Sequence, residues 1–170
     1  MKIYIGFSKP ITRFPIFGWL IQWVEKRPYD HAYVRFKDPF LNKYLVFQAS
    51  KEMVNLYSYQ IFLEYNLPIK EYLIECDAQH YKELWDYITE MLGTPYSLKI
   101  DFGILLMKIF KFKMNPFGDN PNEEVCSELA SRVCSMLGIP ITEEFSSIDP
   151  YGLDQILTNN KSCCIMIGSL

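Results

Sequence analysis

Two histidines and five cysteines are the scarce reactive side chains of this 170-residue chain. A thiolate attacks a carbonyl carbon when a neighbouring base takes its proton, and imidazole is the one side chain that titrates near neutrality unperturbed. Cys126 is the distinctive thiol. The loop Asn120-Pro121-Asn122 feeds a predicted helix over 123–137, and Cys126 falls near its beginning. A helix start lowers a thiol pKa through its partial positive charge, and its unpaired N–H groups can hold an oxyanion. Cys134 lies two turns further in, Cys76 ends a strand, and Cys163 and Cys164 sit in the tail. His31 opens a predicted strand on the face that carries Tyr33 and Arg35. His80 falls in the first turn of a helix behind Asp77, where the dipole disfavours imidazolium, so it reads as a surface residue. A bland alternative stands beside the nucleophile. Cys126, Leu129, Ala130, Val133 and Leu137 form one helical stripe, on which a cysteine packs as a small hydrophobe. Glu123 and Glu124 would also raise its pKa if they point toward it.

The elements that must position these groups follow from periodicity. Residues 2–7, 31–37, 43–49 and 70–76 read as strands, with a further one near 53–57 and a last one over 163–167. In 31–37, Ala32, Val34 and Phe36 share one face and His31, Tyr33, Arg35 and Lys37 the other. The 43–49 strand is expected antiparallel to it. Helices are predicted over 15–26, over 78–92 with Asp77 as N-cap and Gly93 as stop, and over 123–137 with Gly138 beyond. Residues 98–113 are apolar with four interspersed lysines. Strands cluster and helices segregate, which predicts an α+β fold: one domain over 1–170, an antiparallel sheet packed against helices, with 98–122 as a lid or substrate-side insertion.

Composition narrows the function. Hydrophobic residues at 49% and charged residues at 22% exclude disorder and coiled coil. A net charge of −3 argues against a nucleic-acid partner. No C-x-x-C and no Gly-rich phosphate loop occur, so neither metal nor nucleotide cofactor is expected. Free thiols and the lack of a signal-peptide pattern lead to the expectation of a cytoplasmic protein, bacterial or phage-encoded.

Asp30-His31-Ala32-Tyr33-Val34 and Val125-Cys126-Ser127-Glu128-Leu129 resemble the two signature segments of the permuted NlpC/P60 (papain-like) cysteine hydrolases, the YiiX/YaeF-like branch. In that family the histidine strand precedes the nucleophile helix. Gly93-Thr94-Pro95-Tyr96 resembles the segment that lies between them, and Gly138-Ile139-Pro140 follows the helix as expected. The resemblance implies Cys126 as nucleophile, His31 as base and Gln48, on the next strand, as the residue that orients the imidazole. An amide oxygen can accept the imidazole N–H, although it stabilises imidazolium less than a carboxylate does. Asp30 stands where many relatives carry serine; strand alternation turns it away from His31, and it receives no role. Glu128 belongs to the signature, and with Tyr96, Tyr33 and Tyr29 it is expected to bind substrate.

The implied chemistry is acyl transfer on a peptide, a peptidoglycan fragment or another acylated substrate, the residues leaving amide, thioester and ester open. One alternative is a lipid acyltransferase or phospholipase on the same scaffold, motivated by the basic apolar segment 98–113, which could touch a membrane surface. Another is a binding module that keeps the fold and little activity.

Overall fold

A computed structural model describes residues 1–11, 28–50, 52–112, 114–117, 122–161 and 164–167. The predicted helix over 15–26 and Cys163 lie outside the described residues. Six strands form one sheet: β1 (Lys2–Pro10), β2 (His31–Asp38), β3 (Lys43–Ser50), β4 (Met53–Ser58), β5 (Asn66–Glu75) and β6 (Ile165–Ile167). Their order is β4-β3-β2-β1-β5-β6, and every neighbouring pair is antiparallel. The α+β expectation holds, as does the antiparallel pairing of the 43–49 strand with the histidine strand.

Five helices accompany the sheet among the described residues: α1 (Tyr59–Tyr65), α2 (Ala78–Met91), α3 (Leu98–Phe110), α4 (Cys126–Met136) and α5 (Pro150–Asn159). Asp77 caps α2 by accepting from the His80 N–H, and Gly93 follows it at φ 86°. The helix predicted over 123–137 begins at Cys126 itself, because residues 123–125 are extended. The 98–113 segment is helical only to Phe110, where Lys111 turns into the left-handed region. Periodicity missed α1 and α5. The first has seven residues and shares apolar runs with the strands on either side; the second opens on Asp149 as N-cap and Pro150 in its first turn, a start signal that periodicity does not weigh.

The strands place two different sides on the sheet. Ala32, Val34 and Phe36 join Ile3, Ile5, Phe47, Ala49 and Ile74 against Leu84 and Ile88 of α2, Leu129, Ala130 and Val133 of α4, and Leu153 and Leu157 of α5. This is the main core. Tyr33 and Val46 point the other way and pack under Phe62 of α1. Contact at the sheet centre is close: a Cβ on Gly6 would lie 2.1 Å from the Tyr33 ring. No described helix is long and apolar enough to cross a membrane.

Candidate functional site

The head of α4 is delivered by a local backbone zipper. Tyr96 bridges Glu124 in parallel, with Ser97 N–H donating to the Glu124 carbonyl and Glu124 N–H to the Pro95 carbonyl. The same 93–96 turn is stitched to the start of β4, where Val54 N–H donates to the Thr94 carbonyl at 2.8 Å. The chain therefore reaches Cys126 pinned on both sides. Val125, the N-cap of α4, provides no side-chain cap, so the first amides of α4 keep their donor capacity. Ser58, Asp77, Ser97 and Asp149 do cap α1, α2, α3 and α5.

Cys126 is 4% exposed. Its thiol lies against the N–H groups of Ala32 and Ser127, which favour the anion, and next to the Tyr96 hydroxyl. The Ala32 N–H is available because the β2–β3 ladder begins only at Val34–Phe47. Burial outweighs these donors. Together with the charges of Asp101 and Asp30 it pushes the thiol up to about 12. The low pKa expected of a thiol at a helix start is thus opposed: the helix-head donors are present, but burial and two nearby carboxylates outweigh them. Glu123 and Glu124 are not the cause, since Glu123 accepts from Ser97 and Glu124 faces Arg132.

His31 Nε2 lies 2.7 Å from Gln48 Oε1. The proton position follows from a chain of amides. Asn55 Nδ2 donates to the Met53 carbonyl, which can only accept. Asn55 Oδ1 therefore faces outward and accepts from Gln48 Nε2 at 3.3 Å. That leaves Gln48 Oε1 to accept from His31, so Nε2 carries the proton and Nδ1 holds a bare lone pair. Burial lowers the His31 pKa, with Gln48 opposing, and keeps the ring neutral. The Gln48–His31 pairing expected from sequence is present. No hydrogen bond joins the imidazole to the Cys126 thiol, whose nearest β2 contact is the backbone of Ala32, the next residue.

Beside Cys126 is a small cavity of about 30 Å³, room for one or two water-sized groups. Asp30, Tyr96, Asp101, Lys108, Ser127 and Asp149 contribute its polar lining; His31 and Gln48 do not line it. Tyr96 is where the sequence placed it, its hydroxyl donating to Asp101 Oδ2 at 2.5 Å. The other three expected substrate contacts are elsewhere. Tyr33 is fully buried beneath α1 and donates to Glu71 at 2.8 Å. Tyr29 packs on Phe7 and donates to Asp154 at 2.5 Å. Glu128 is fully buried and pairs with Arg132 at 2.6 Å. All three serve packing, because each polar tip meets a partner inside the protein.

Asp30 lines the cavity, contrary to its dismissal from sequence. Strand alternation turns it from His31 toward the side where α4 lies. Asp101 and Lys108 were also missed, although charges interrupting the apolar run 98–110 were a usable signal. Lys108 pairs with Asp149 across the cavity. Among the described residues no cluster could hold a metal ion. His80 is exposed and bonded to Asp77, as a surface residue. Neither the protein-family models nor the curated proteins contain a match to this sequence.

Proposed function

We propose that this chain is a cysteine acyl hydrolase of permuted papain-like architecture, with Cys126 as nucleophile, His31 as base and Gln48 as the group that orients it. The amide chain Met53–Asn55–Gln48–His31 carries the reading, because it selects the one tautomer whose Nδ1 can accept a proton. The order of histidine strand, amide strand and nucleophile helix supports the permuted arrangement. Buried imidazoles also serve packing, but a packing role requires no three-residue relay to fix the tautomer.

In this mechanism the Cys126 Sγ–C bond forms as the thiol proton passes to His31 Nδ1. Uncapped amides at the α4 head stabilise the oxyanion. The imidazolium returns its proton to the leaving group, and water, deprotonated by the same nitrogen, releases the acyl group. Cys126 and His31 are neutral at rest, so substrate entry must displace the Tyr96–Asp101 pair from the thiol before transfer. An amide of a peptide or peptidoglycan fragment is the first substrate class; thioesters and esters need less leaving-group protonation. A reducing, cytoplasmic setting fits the free thiols of Cys76, Cys126, Cys134 and Cys164.

Incubation with p-nitrophenyl acetate and an acetyl thioester, followed by peptide mapping, tests the assignment. Acyl groups are expected on Cys126 in preference to the likewise buried Cys134, and His31→Ala should slow that acylation at least ~10²-fold, the lower end for a general base. Equal labelling of Cys126 and Cys134, or a rate indifferent to His31→Ala, refutes it.

A further inference from the structure

Helix α3 wears its polarity inside out. Two of its three charged residues turn inward, Asp101 to the Tyr96 hydroxyl and Lys108 to Asp149. Ile100, Ile104 and Leu105 also face inward and are buried. The outward side carries Leu98, Phe102, Ile109 and Phe110, which are 68%, 42%, 52% and 62% exposed. Phe112 and Phe117 in the following turn extend this surface, Phe110 stacking on Phe112 and Phe102 leaning on Phe117, with centroids 5.7 and 6.0 Å apart. A surface helix of a water-soluble domain has the reverse pattern, and a continuous exposed apolar patch marks an interaction site.

The charges beside the patch select the partner. Lys99 and Lys111 are exposed at its margin. Of the charged residues described in 98–117, Asp101 and Lys108 turn inward, so the two left at the surface are both lysines, although the whole chain has a net charge of −3. An apolar stripe of Phe, Leu and Ile bordered by lysines matches a helix lying in the interface of an anionic bilayer, its lysines reaching the headgroups. A protein groove would also accept the phenylalanines, but it gives no reason for the local reversal of charge.

We propose that the outer face of α3 docks on an anionic lipid surface. The inner side of the same helix lines the Cys126 cavity, so docking would hold the wall of that cavity close to the bilayer surface. The docking stands on the α3 surface alone and does not depend on the hydrolase reading.

The full chain is mixed with sedimentable vesicles of phosphatidylcholine, with and without about 30% phosphatidylglycerol, at about 0.05 and 0.5 M salt. The protein is expected to co-sediment with anionic vesicles at low salt. Binding should fall at least tenfold in F110S/F112S and in K99E/K111E, with circular dichroism of both variants like that of the parent. All four side chains are exposed, so the fold should tolerate the changes. No sedimentation at low salt overturns the proposal, as does binding that both variants retain. A concentration-dependent dimer lost in F110S/F112S, without vesicle binding, assigns the face to a second copy and overturns it too. Acylation of Cys126 is read separately, so vesicle binding without thiol reactivity leaves docking standing and overturns the hydrolase reading instead.

Discussion

Replacing Asp101 by asparagine is the sharpest test of how the thiol is controlled. Burial first, then the Asp101 and Asp30 charges, hold Cys126 near 12 against the pull of two backbone N–H groups. A free cysteine titrates near 8.5, so at pH 7.4 its thiolate fraction is about one in ten, against roughly one in 10⁴–10⁵ for Cys126. Alkylation of Cys126 in the resting protein is therefore expected to be about 10³-fold slower than that of a free thiol. Asp101 is separated from the sulfur by one hydroxyl, that of Tyr96. Asparagine keeps an oxygen for that hydroxyl and removes the charge. Loss of one buried like charge at such range should lower the thiol pKa by about 1–2, raising alkylation ~10–100-fold between pH 7 and 10. Iodoacetamide rates read residue by residue from pH 6 to 11 measure this, with Cys134 as the internal reference. Burial also raises Cys134, but the Asp101 charge does not act on it. A Cys126 profile unchanged in Asp101→Asn refutes the electrostatic argument; a wild-type Cys126 as reactive as Cys76 at pH 7.4 refutes the burial argument.

Three further outcomes follow from the contacts. Gln48→Glu should raise the His31 pKa by about 1 or more, since a carboxylate at 2.7 Å favours imidazolium, and the imidazole NMR titration reads it directly. Asp154 accepts from Tyr29, Tyr72 and Lys70, which together hold its carboxyl below the usual range although burial opposes them. Asp154→Ala should cost about 3 kcal/mol in urea unfolding by stranding Lys70 and the Tyr29 hydroxyl, Tyr72 keeping Thr158. Because the folded pKa is the lower one, the wild-type advantage should be full above the unfolded pKa of about 4 and disappear as pH falls through the folded value; a pH-independent difference would contradict the pairing. Gly6→Ala places a methyl against the Tyr33 ring and should cost about 1–3 kcal/mol or more, since the ring is clamped by Phe62 and Glu71. A neutral substitution there would show that the reverse face is looser than its packing.

Short-range patterns in the chain carry the local grammar. Strand alternation set which residues of β2 enter the core, and a capping aspartate and a positive-φ glycine bounded α2, because such signals act within a few residues of one another. Gln48 stood out only through the family resemblance, whereas the same locality made Cys126 and His31 legible as residue types in suggestive places. It could also have exposed the role of Glu128, whose partner Arg132 stands one helical turn away. What each group meets is a matter of long-range packing. Asp101 comes to Cys126 from 25 positions earlier in the chain, and Tyr29 finds Asp154 from 125 positions away. Tyr33 looked like a wall of the cleft until α1, an element too short to show a period, covered it. A pKa depends on the dielectric and on charges within several ångströms. Those are set by which elements fold together. A helix head by itself predicts a reactive thiol; a helix head closed in by aspartates and apolar walls holds a protonated one.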